Sequence, residues 1–103
     1  MYPKGIVRSP EAEEAGRLYR EAIKLGKLGK FDEALRCVEA IEETGYRLRL
    51  VWRNEVLLEL VHRSCEASQL ERALEIARIM ELPQFQKLAF ETVDLYTKKK
   101  SQS

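Results

Sequence analysis

Two stretches of this chain repeat one another. Aligned from residues 31 and 70, 39 positions apart, FDEALRCVEAIE and LERALEIARIME bring Phe31 onto Leu70, Ala34 onto Ala73, Leu35 onto Leu74, Val38 onto Ala77 and Ile41 onto Met80; Tyr46 then falls on Phe85. The apolar residues recur at three-and-four spacing, which draws one stripe along an α-helix. A helix with a single apolar stripe cannot bury it alone, and a self-similar period in the thirties or forties means stacked helical hairpins. The repeat therefore predicts an all-α chain.

Helix punctuation divides the rest. In SPEAEEAGRLYREAIKLGKLG, Ser9 is placed to cap a helix, Pro10 suits its first position, and Glu11, Glu13 and Glu14 complement the positive end of its dipole. The stripe Ala12, Ala15, Leu18, Tyr19, Ala22 and Ile23 follows, and Gly29 supplies the left-handed conformation that ends many helices. A second helix carries Phe31, Ala34, Leu35, Val38 and Ile41 as far as Thr44 and Gly45. A link this short makes the two antiparallel neighbours. Further on, Ser68 and Glu71 read as a capping box ahead of Leu70, Ala73, Leu74, Ala77 and Met80, and Pro83 interrupts that stripe. A fifth helix is expected over 84–99, carrying Phe85, Leu88, Ala89, Val93 and Tyr96 and ending on Lys98, Lys99 and Lys100. Residues 1–9 read as an N-terminal extension, 10–99 as one domain, and 100–103 as a polar, disordered tail.

Between the repeated stretches lies GYRLRLVWRNEVLLELVHRSC, whose first half alternates basic and apolar residues like a strand. No other segment has the period-two, β-branched character of a partner strand. At helical spacing, Leu50, Leu57, Val61 and Ser64 form one line, flanked by Leu58 and Cys65 and by Val56 and Leu60. So broad an apolar arc needs neighbours on two sides, as an internal helix of a stack has. Glu55, Glu59, His62 and Glu66 fill the remaining strip, where Glu59 pairs with Arg63.

LGKFDEALRCVEAI resembles the second-helix signature of a tetratricopeptide repeat: Gly29, Phe31 and Ala34 fill its glycine, aromatic and alanine positions, while Leu18, Ala22 and Leu25 match the first-helix pattern. In the second unit Leu57, Val61, Leu70, Ala73 and Ala77 follow the pattern less closely, and Ser68 stands where Gly29 stands in the first. The resemblance implies five antiparallel helices, two hairpins plus a C-terminal helix, wound as a right-handed superhelix. It also implies a non-catalytic scaffold that holds another protein or a peptide in a groove lined by first helices. By matching positions, Tyr19, Ile23 and Lys27 of the first unit and Leu58, His62 and Glu66 of the second face that groove.

Two other functions stay open. A stack this short leaves apolar end faces, so a homo-oligomer is an alternative, with Trp52, Phe90, Leu95 and Tyr96 as its contacts. Arg47, Arg49 and Arg53 beside Tyr46 and Trp52 suggest a stacking, phosphate-gripping patch for nucleic acid. Against it, Arg49 and Arg53 stand one turn apart at the edge of the apolar arc, within reach of Glu42 or Glu43. Eighteen Lys and Arg against seventeen Asp and Glu leave a net charge of +1, which gives no overall pull on nucleic acid or anionic membrane. His62 is the sole histidine, and Cys37 and Cys65 are far apart, so no metal, cofactor or catalytic constellation is signalled. Lacking a secretory pattern or a membrane-length apolar run, the chain is expected to be soluble and cytoplasmic.

Overall fold

The computed structural model describes residues 9–102, and side chains as far as residue 99; most of the expected N-terminal extension lies outside them. Five helices follow in order: α1 Pro10–Lys27, α2 Phe31–Glu43, α3 Arg49–Glu66, α4 Leu70–Arg78 and α5 Pro83–Gln102. Among the described residues no strand forms, so the basic-apolar alternation after Gly45 resolves as the entry to α3. No helix among them is long and apolar enough to cross a membrane.

The start of α1 follows its sequence signals: Ser9 Oγ accepts a hydrogen bond from the Ala12 amide at 3.2 Å, and Pro10 occupies the first turn. Its end is a closed loop of backbone hydrogen bonds in which the Gly29 amide donates to the Gly26 carbonyl and the Lys30 amide to the Leu25 carbonyl, with Gly29 at φ +78°. α3 ends the same way 39 residues later. There the Ser68 amide donates to Cys65 and the Gln69 amide to Ser64, and Ser68 itself takes φ +62°. The expected Ser68–Glu71 capping box does not form, because Ser68 closes the helix before it; α4 begins after Gln69 with no side-chain cap.

Each element's buried face is close to its predicted stripe. Phe31, Ala34, Val38 and Ile41 are buried on α2, and Val56, Leu57, Leu60, Val61 and Cys65 on α3. There are three departures. The buried line of α3 begins at Asn54, and Leu50, in the first turn, is exposed. On α5 the buried line runs through Phe85, Ala89, Val93 and Tyr96, and Leu88 stands one residue ahead of it, about 100° around the helix. On α4 Ile76 is buried alongside Ala73 and Ala77, because this short helix presses a broader face into the core. The C-terminal tail expected to be disordered is helical instead through residue 102, continuing the ladder of α5.

α3 is the centre of the assembly: it packs against α1, α2, α4 and α5, while α1 also meets α2, and α4 also meets α5. Its contacts with α1 are close at Gly26, where an added Cβ would stand 2.7 Å from Leu60 Cδ2. A smaller cluster of Ala15, Leu18 and Ile41 is covered by Tyr19, Tyr46 and Trp52. Both cysteines are free thiols: Cys65 is buried, Cys37 is half-buried, and burial raises both above their ordinary pKa.

Candidate functional site

The face predicted to form a groove lies where α1 and α3 run side by side. Tyr19, half-buried on α1, donates its hydroxyl hydrogen to Glu55 Oε2 of α3 at 3.0 Å, so the two helices share a polar contact on this face. Burial, with the Glu55 hydrogen bond behind it, raises the Tyr19 pKa above its ordinary value. Ile23 and Leu58 are half-buried against the main core, and Lys27, His62 and Glu66 are exposed. Arg63 donates to Glu59 at 2.7 Å, the pairing expected from their spacing, and reaches Glu66 at 3.5 Å. Among the described residues no three His, Cys, Asp or Glu side chains are placed to hold a metal ion.

Trp52, expected as a contact of a homo-oligomer, does not stand open to solvent. It is half-buried, with edge-on ring contacts to Tyr19 (centroids 5.5 Å apart) and Tyr46 (4.9 Å), because the link after α2 folds Tyr46 back over the first turns of α3. Tyr96 packs partly on the core and lies beneath the Lys99 ammonium, whereas Phe90 and Leu95 are exposed. Of the arginine cluster, Arg47 is exposed on the link into α3. Arg49 pairs with Glu42, and Arg53 pairs with both Glu42, at 3.2 Å, and Glu81. Two of the three guanidinium groups are thus occupied by carboxylates. The Arg49 hydrogen bond, with Arg53 adding to it, holds Glu42 below its ordinary pKa.

Beside these ion pairs stands a residue that the sequence reading passed over. Asn54, the single asparagine, is fully buried and makes four hydrogen bonds. Its Oδ1 accepts from the Glu81 amide at 3.0 Å and the Leu82 amide at 3.2 Å, and its Nδ2 donates to the Leu50 carbonyl at 2.8 Å and to Glu81 Oε1 at 3.1 Å. Asn54, Arg53 and Glu81 therefore fasten the link between α4 and α5 to the first turns of α3, and Glu42 ties in the end of α2. A signal was available: Asn54 falls between Leu50 and Leu57 on the apolar line, and a polar side chain there must find partners.

No family model matches the chain, and neither does any curated protein or solved structure. The functional reading therefore rests on the residues and their geometry.

Proposed function

We propose that the chain is a non-catalytic interaction scaffold of the tetratricopeptide-like type, binding a peptide or partner helix on the face shared by α1 and α3. The observation that carries the reading is a repeating pattern of contact. α3 meets both helices of the first pair, and α5 meets both helices of the second in the same way. First helices begin at 10, 49 and 83, spacings of 39 and 34, and the second spacing equals the tetratricopeptide unit length. The extra five residues of the first unit lie in the longer α2 and the link after it.

Side-chain contacts are consistent with antiparallel neighbours wound into a superhelix. Arg72 of α4 pairs with Asp32 at the start of α2 at 2.9 Å and stacks over Phe31, so the first turns of α2 and α4 adjoin. Arg53 near the start of α3 reaches Glu42 near the end of α2 and Glu81 just before α5, which supports α3 running opposite to α2 and alongside α5. In such an arrangement α1, α3 and α5 line one face with their exposed side chains. Binding partners are then other proteins or peptides in an aqueous, cytoplasmic setting, while nucleic acid is disfavoured by the neutralised arginines.

Selection of peptides from a random display library on the whole chain, followed by titration against Tyr19→Ala and Lys27→Ala, tests the reading. Selected peptides should lose about tenfold or more in affinity, equivalent to roughly 1.4 kcal/mol, while circular dichroism stays that of the parent. Peptides whose affinity ignores both substitutions would remove the groove assignment.

A further inference from the structure

We draw no further inference here: the strongest candidate, the exposed apolar patch of Leu88 and Leu95 on α5, is flanked along the helix by side chains of both charge signs, Lys87 and Glu91 among them, and nothing in the structure shows what covers it.

Discussion

Replacing Asn54 with alanine should detach α5 from the stack before it unfolds the rest. The Asn54 amide uses its full hydrogen-bonding capacity, two donors and two acceptor sites, inside the protein. Asn54→Ala leaves the Glu81 and Leu82 amides without their acceptor, and each buried, unsatisfied group costs about 1–3 kcal/mol. Water reaches the Glu81 side of the link, which lowers the total, so we expect a loss of about 2–4 kcal/mol against a domain stability of roughly 5–15 kcal/mol. In urea unfolding the midpoint should fall by about 1–2 M at unchanged slope, for a slope near 2 kcal/mol/M. Native-state hydrogen exchange should show α5 amides losing protection ahead of those in α1 and α2. Asn54→Asp should be worse at neutral pH, because it sets a carboxylate against the Leu50 carbonyl and the Glu81 carboxylate. The introduced carboxyl then has a raised folded-state pKa, so its stability deficit shrinks as acid protonates it and grows as pH rises through that pKa. A loss below about 1 kcal/mol in Asn54→Ala, with exchange accelerated evenly over all five helices, would refute the assignment of Asn54 as the fastener of this link.

Three further outcomes follow from the same geometry. Ser68→Gly should stabilise the chain by about 0.5–1 kcal/mol: relieving a left-handed residue yields about 1–2 kcal/mol, offset by the added freedom of the unfolded glycine. A thermal midpoint higher by about 2–6 °C would register it. Gly26→Val should cost about 1–3 kcal/mol by overpacking against Leu60, measurable by denaturant titration, and Leu60→Ala in the same chain should partly rescue it. Glu42 has a folded-state pKa lowered by Arg49, so its contribution is present above the unfolded value and lost as pH falls through the folded one. Glu42→Gln should therefore flatten the decline in stability with acid below the ordinary carboxylate value of 4.5.

Much of the architecture was legible in the sequence because helix signals are local. Ser9, Pro10 and Gly29 act within one turn of their own position, and the stripes of α2 and α3 need only three-and-four spacing to be seen. Where the reading slipped, the cause lay in other elements. Ser68 begins a plausible capping box in isolation, yet it completes the helix before it, and the 39-residue alignment with Gly29 already pointed that way. Leu50 and Leu88 are apolar residues at helical spacing whose faces have no covering helix, something phase alone does not disclose. Trp52 depended on the fold of the Tyr46 link, and Gly26 on how closely α3 approaches α1. For the candidate site, Tyr19, Ile23 and Leu58 came from matching positions to the tetratricopeptide pattern, whereas the Tyr19–Glu55 hydrogen bond and the Glu42–Arg53–Glu81 chain join residues 11 to 36 positions apart and required coordinates.

α3 touches every other helix, so the two pairs are not independent modules strung in a line. Cutting the chain between α2 and α3 would bare the side of α3 that meets α1 and α2 in one piece and uncover α1 and α2 in the other, and neither fragment should hold its shape in isolation. Melting is then expected as one event, with α3 the last segment to surrender its amide protons.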